Sequence, residues 1–321
     1  MAVYTKISEA EISQHLKKYD LGNLVSLKEI IDGIDNSNFI LETQKGKFIL
    51  TIFESRIDKN DLPFFINLKL HLAKNGIPCP RPILDNSGFA ISDLSGKNSA
   101  IVTFLSGATL KTRQDGYYDS ITPNHCFEVG KVLARLHLAA ADFKMSRKND
   151  LGINGWSPLF SKFEGLVENY QKNLHTEISA DLDFLKESWN HDLQSCASHL
   201  DLFPDNVFFD NESKLSGVID FYFAANDALI YDFAVIVNAW CFDEKNNFEE
   251  DKFEEMIDGY ESIRKFSSQE KDFLKIALMG AAMRFLLTRL HDMFFTPKDS
   301  LVNIKNPQEY LAKLRFFKSQ L

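Results

Sequence analysis

The chain has 321 residues, of which 45% are hydrophobic and 25% charged, and its formal net charge is -9. That is enough apolar material for a large domain or a two-lobed body, and the composition is that of a globular protein. An acidic chain without a basic stripe argues against nucleic acid as a partner.

Ser8-Glu9-Ala10-Glu11 has the form of a capping box, and Ile12 and Leu16 follow on one helix face. Three β-rich runs come next, at 24–31, 36–42 and 47–53, with the turn segments Asp32-Gly33 and Gln44-Lys45-Gly46 between them. They predict an antiparallel meander. Asp61 opens a helix with Pro63 in its first turn, and Gly76 with Pro78, Pro80 and Pro82 stops it. Strand-like runs follow at 89–93 and 100–104. Beyond residue 105 the pattern turns helical. Thr122-Pro123 caps a helix, and further helices are expected over 158–173, 181–197, 228–241, 248–262, 268–293 and 307–318. Two short strands, 207–209 and 215–219, sit among them. The expectation is an α+β chain. A small antiparallel β-rich N-terminal lobe occupies 1–104, a hinge 105–109 and a larger α-helical C-terminal lobe 110–321.

Cys79, Cys126, Cys196 and Cys241 are scattered and form no C-x-x-C pair, so neither a zinc site nor a disulfide framework is expected. A reducing compartment fits. The N-terminus is too polar for a signal peptide, and the most apolar run, 233–242, is too short to span a bilayer. A cytoplasmic protein with no membrane partner is expected.

The chemistry concentrates in His199-Leu200-Asp201-Leu202-Phe203-Pro204-Asp205-Asn206, an H-x-D-x-x-x-x-N pattern that runs into the apolar strand at 207–209. Fourteen residues past Asn206, Asp220 stands directly after the second strand. Phosphoryl transfer needs a carboxylate that orients the attacking hydroxyl and accepts its proton, and oxygen ligands that hold Mg²⁺ on the phosphates. Asp201 suits the first task, and Asn206 and Asp220 the second. The plain alternative is a set of turn-forming Asp and Asn residues. His199 has no second histidine at ligand spacing and reads as a support for the loop backbone. Asp232 has two readings: a buried brace for the loop, or a first-turn helix acid favoured by the dipole. Gly33-Ile34-Asp35-Asn36-Ser37-Asn38 could cover phosphates with its backbone N–H groups, as many hairpin turns could.

These motifs and the two-lobe layout resemble the aminoglycoside phosphotransferase and choline kinase superfamily, which has a protein-kinase-like fold. Flanking segments narrow the resemblance to bacterial homoserine kinases of that fold: Phe48-Ile49-Leu50-Thr51, Gly76-Ile77-Pro78-Cys79-Pro80, Ile219-Asp220-Phe221-Tyr222-Phe223 and Arg284 to Leu290. The resemblance implies ATP and Mg²⁺, with Asp201 as the catalytic aspartate and Asn206 and Asp220 as magnesium ligands. Asn36, Ser37 and Asn38 of the 33–38 turn are expected over the phosphates, and the resemblance implies that Thr103, Phe104 and Leu105 meet adenine. The acceptor would be L-homoserine, on the way to threonine; Tyr222 is expected in its pocket, with Arg284 and Arg289, which stand out as basic groups in the apolar run 283–290. A guanidinium can grip the homoserine carboxylate through two parallel hydrogen bonds. The alternative is internal pairing, with Asp292 at i+3 from Arg289.

One departure stands out. Kinases of this fold usually carry a strand-three lysine paired with a helix glutamate. Here Thr51 takes the lysine position and Phe64 or Phe65 the glutamate position. Lys47, Arg56 or a second metal ion are the candidates to replace that charge. Two rival readings remain. One is a kinase for another acceptor, such as choline, an aminoglycoside or methylthioribose. The other is an inert kinase-fold binding module.

Overall fold

Ser8 opens the first helix, α1 (Glu9–Leu16), by a reciprocal cap: its hydroxyl accepts the Glu11 N–H, and the Glu11 carboxylate accepts the Ser8 N–H. The computed structural model describes residues 4–30, 36–54, 58–110, 121–297 and 304–320. The chain forms two compact units, Met1–Gly107 with Ser216–Tyr222, and Ala108–Leu215 with Phe223–Leu321.

In the first unit, β1 (Leu24–Ile30), β2 (Asn36–Thr43) and β3 (Gly46–Phe53) pair as an antiparallel meander. Helix α2 (Leu62–Lys74) follows, then β4 (Ser92–Leu94) and β5 (Lys97–Thr103). The five strands run in the order β1-β2-β3-β5-β4. Alternation along β3 sorts its side chains. Phe48, Leu50 and Ile52 join Ile12, Leu16 and Phe39 in one cluster. Phe53 lies with Leu62 and Ile66 of α2 in another. By the same period, Thr51 shares the α2-facing side with Phe53. The expected strand at 89–93 begins later, at Ser92, because Gly88 sits in a turn at φ 87°.

The second unit holds α3 (Pro123–Ala140), α4 (Ile153–Phe160), α5 (Val167–Tyr170), α6 (Leu174–Ser188), β6 (Ser195–Ser198) and β7 (Val207–Phe209). β8 (Leu215–Val218) leads into the segment that clusters with the first unit. Then come β9 (Ala225–Ala228), α7 (Leu229–Trp240), α8 (Glu250–Glu261), α9 (Ser268–Phe295) and α10 (Pro307–Ser319). The expected single helix over 158–173 is broken into α4, a 3-10 turn at Glu164–Leu166 and α5. The expected helix over 181–197 ends at Ser188, and β6 takes its last residues. β6 pairs with β9, and both are built of small residues with little strand propensity. All four cysteines are free and buried. Burial pushes the Cys79 and Cys196 thiols up to about 12. Among the described residues no helix is long and apolar enough to cross a membrane.

Two glycines bring α3 and α8 into backbone contact. A Cβ on Gly130 would lie 2.2 Å from the Met256 carbonyl oxygen, and one on Gly259 2.0 Å from that of Phe127. No side-chain rotation relieves a clash with backbone. Gly259→Ala is therefore expected to lower unfolding free energy by about 2–4 kcal/mol in a denaturant titration.

α10 is fastened to α9 by charge. The Glu309 carboxylate accepts from Arg289 and from Lys313, each at 2.6 Å, and Lys313 also donates to the Asn238 carbonyl at 2.8 Å. Burial alone would raise Glu309, but the two cations outweigh it and hold the carboxyl at about 2, below its ordinary 4.5. Burial draws Lys313 below its own usual value, so the net gain is smaller than the Glu309 side alone implies. A depressed carboxyl stabilises above its unfolded pKa, and that contribution is lost as pH falls toward the folded one. Melting temperature should drop between pH 4.5 and 2, and Glu309→Gln should flatten that slope while lowering stability at pH 7 by about 2 kcal/mol.

Candidate active site

The segment after β6 has no regular structure, yet its backbone polar groups are held one by one. Asp232, in the first turn of α7 and fully buried, accepts the His199 N–H at 2.9 Å and the Leu200 N–H at 2.8 Å. Two consecutive amides can aim at one carboxylate because Leu200 is left-handed, at φ 63°. The Leu200 carbonyl accepts from Arg284, and the Leu202 carbonyl from Trp240 Nε1 at 2.8 Å. The Asp201 carbonyl accepts the Phe203 N–H at 2.9 Å and Asn206 Nδ2 at 2.8 Å. His199 Nδ1 accepts the Asp201 N–H at 3.3 Å. With its backbone secured this way, Asp201 keeps a partly exposed carboxylate, 18% accessible.

The anchor has an anchor of its own. His137 of α3 sits 3.1 Å from Asp232 through Nε2 and 2.8 Å from the Tyr260 hydroxyl of α8 through Nδ1. Arg264 reaches the same hydroxyl at 3.2 Å and pairs with the buried Glu270 at 2.9 Å. Burial would push the Asp232 carboxyl up. His137, His199 and the Leu200 amide more than offset it, and the carboxyl lies below its ordinary value.

Asn206 closes a short 3-10 turn, Pro204–Asn206, just before β7. Its Nδ2 is committed to Asp201, which leaves Oδ1 as the atom able to ligate a cation. Asp220 belongs to the first unit and is also left-handed, at φ 62°. An amide oxygen and a carboxylate are the hard donors magnesium takes. No three His, Cys, Asp or Glu form a metal cage among the described residues. Magnesium bound mainly through substrate phosphates and water does not need one.

The remaining sites expected from sequence are placed as follows. Arg284 is 2% exposed and lies 3.9 Å from Asp201 as well as under the Leu200 carbonyl. Arg289 is committed to Glu309 and to the Asn306 carbonyl, so its internal partner is not the Asp292 that spacing pointed to. Tyr222 sits in the first unit, where Phe53 and Phe65 meet its ring edge-on at 6.0 and 5.6 Å. Asn36, Ser37 and Asn38 are already part of β2. Ser37 Oγ accepts the Tyr4 and Thr5 N–H groups and donates to Glu54 at 2.7 Å. The Asn36 Oδ1 accepts the Glu54 N–H, and Asn38 Oδ1 accepts Thr51 Oγ1 at 2.8 Å. Gly33, Ile34, Asp35 and Arg56 lie outside the described residues. β5 ends at Thr103, so Phe104 and Leu105 continue past its last ladder pair. Lys47 is exposed at the start of β3.

Sequence reasoning missed Lys69. It is 7% exposed on α2, four residues after Phe65 and so on the same face, and its ammonium lies 5.5 Å from the centre of the Tyr222 ring. Burial holds it down to about 8, while Cys79 and Asp220 draw it back up. The signal was available: the helical period groups residue 69 with Leu62, Phe65, Ile66 and Leu72, all buried.

The phosphotransferase enzyme family pattern matches residues 26–266. A homoserine kinase from Xanthobacter autotrophicus is 46% identical over 98% of this chain and 96% of its own. One from Brucella canis is 45% identical over 98% and 94%. Among solved structures, a spectinomycin phosphotransferase in complex with ADP and spectinomycin superposes with a TM-score of 0.67 at 14% identity, over 98% of this chain and 95% of that one. An aminopropanol kinase gives 0.60 at 14%, over 97% and 94%.

Asp232→Ala would remove the acceptor of two buried amides and strand His137. We expect unfolding free energy to fall by about 3–5 kcal/mol. Under native conditions the His199 and Leu200 amides should exchange with solvent faster in the milder Asp232→Asn variant. Unchanged exchange at both amides would rule out the anchoring role.

Proposed function

The chain belongs to the phosphotransferase enzyme family, and on that premise we propose that it is a homoserine kinase. It transfers the γ-phosphoryl group of ATP to the side-chain hydroxyl of L-homoserine, giving ADP and O-phospho-L-homoserine, a step toward threonine. The observation that carries the acceptor is the near full-length similarity to homoserine kinases. The architecture around Asp201 supports the chemistry.

Asp201 orients the acceptor hydroxyl and takes its proton as the oxygen attacks the γ-phosphorus and the bond to the β–γ bridging oxygen breaks. The proton ends on the Asp201 carboxylate and the electron pair leaves with ADP. Little bond-making falls to the protein in such a transfer, so rate depends on position. That is the use of a loop whose carbonyls and amides are pinned from α7 and α9. Arg284, nearly inaccessible and beside Asp201, braces that loop and fixes its carboxylate. Asn206 and Asp220 are the ligands for Mg²⁺, which when bound offsets phosphate charge. Adenine meets the backbone at Thr103, Phe104 and Leu105.

The test is ADP release by the purified protein with Mg²⁺-ATP and a panel of acceptors: L-homoserine, choline, methylthioribose, an aminoglycoside, and an amino alcohol lacking the carboxylate. L-homoserine should give the highest kcat/KM by at least about tenfold, as expected where a site pairs a substrate charge. Asp201→Asn should lower kcat by about 10²–10⁴-fold while leaving nucleotide affinity nearly unchanged. Faster turnover with a carboxylate-free acceptor would reject homoserine as substrate. A kcat within a few-fold of the parent would reject Asp201 as the base.

A further inference from the structure

Lys69 is a cation in an apolar place. Its helix face is otherwise Leu62, Phe65, Ile66 and Leu72, and the side chain is 7% exposed. Among the described residues its ammonium makes no hydrogen bond and no ion pair. An uncompensated buried charge costs several kcal/mol, and a protein that only needed to fill this space would use an apolar side chain. Two groups meet it electrostatically besides the Tyr222 ring. Cys79 is one, and its thiol is pushed up to about 12, so it stays neutral. The other is Asp220.

The same unit lacks the charge pair found elsewhere in the fold. Thr51 occupies the strand position and spends its hydroxyl on Asn38 at 2.8 Å. Phe64 and Phe65, both buried, stand where the helix acid would be. Lys47 is exposed, which removes it as a replacement within this core.

We propose that Lys69 is the cation that balances the charge of the bound nucleotide's phosphates, acting as a positioning residue through Asp220. A helix-borne lysine thereby does the work of the missing strand lysine. The inference rests on the kinase reading above. Among the described residues no carboxylate lies within ion-pair distance of the lysine, and Asp220 reaches it only at longer range; the rest of its counter-charge arrives with the substrate. Tyr222 lines its approach: the ring face offers a partial negative charge that holds the ammonium in place meanwhile.

The experiment is calorimetric binding of AMP, ADP and a non-hydrolysable ATP analogue, each with Mg²⁺, to the parent, Lys69→Met and Lys69→Arg, with melting temperatures of the free proteins. Lys69→Met should leave AMP affinity within about twofold and weaken the ATP analogue by about 10–100-fold, with ADP between, since one charge at low dielectric acts on each added phosphate. Removing an unpaired buried charge should leave the free protein's melting temperature unchanged or raised. Lys69→Arg should retain most of the analogue's affinity. Equal loss for AMP and the analogue, or a melting temperature that falls with no phosphate dependence, overturns the proposal and makes Lys69 a packing element. Analogue affinity within threefold of the parent overturns it too. A parent that binds none of the three overturns the kinase reading instead, and this inference with it.

Discussion

One buried carboxylate gives the segment around Asp201 its shape. Asp232 gathers two consecutive backbone amides, and those amides converge only if Leu200 turns left-handed. For a non-glycine residue that turn costs on the order of 1 kcal/mol, and it persists because the carboxylate over-determines it. The carboxylate in turn stays charged because His137 faces it, and His137 is aimed by Tyr260. Tyr260 reaches His137 because Gly130 and Gly259 let α3 and α8 touch backbone to backbone. A packing constraint between two helices thus passes, through three polar contacts, to the backbone of the segment that carries Asp201.

Much of this was readable in the residues, for identifiable reasons. The capping boxes and the meander follow local rules, so α1, α3 and the first three strands are found near their expected bounds. The H-x-D-x-x-x-x-N segment points to the loop that Asp232 and Arg284 pin. β6 and β9 were not legible because Ser195-Cys196-Ala197-Ser198 and Ala225-Asn226-Asp227-Ala228 carry no strand signal; they pair because the tertiary structure presses two small-residue segments together. Arg289's partner lies in the next helix, which i+3 spacing cannot see. Lys69 was hidden by its type: a lysine is assumed to face water, and only the helical period contradicts that.

On the role proposed for Lys69, the first unit keeps an electrostatic requirement of the fold while relocating the residue that meets it. Fixed charge near a metal-bound triphosphate is what the chemistry asks for. Coulomb forces reach several ångströms in a dry interior, so the strand or the helix can supply it. What cannot be kept is the partner acid, since Phe64 and Phe65 fill that space. Lys69 has no acid at ion-pair distance among the described residues, only Asp220 at longer range, and its ammonium rests 5.5 Å from the centre of the Tyr222 ring.

The four cysteines have a practical consequence. Each is buried, and burial raises the Cys79, Cys196 and Cys241 thiols well above the ordinary thiol range, so little thiolate forms at neutral pH. Alkylating reagents attack the thiolate, so the native chain is nearly inert to them. Cys79 lies beside α2, Cys126 in α3, Cys196 in β6 and Cys241 at the end of α7. Nature has therefore placed four silent clocks in four different parts of the core, and the rate at which each is labelled reads out how often its own neighbourhood opens.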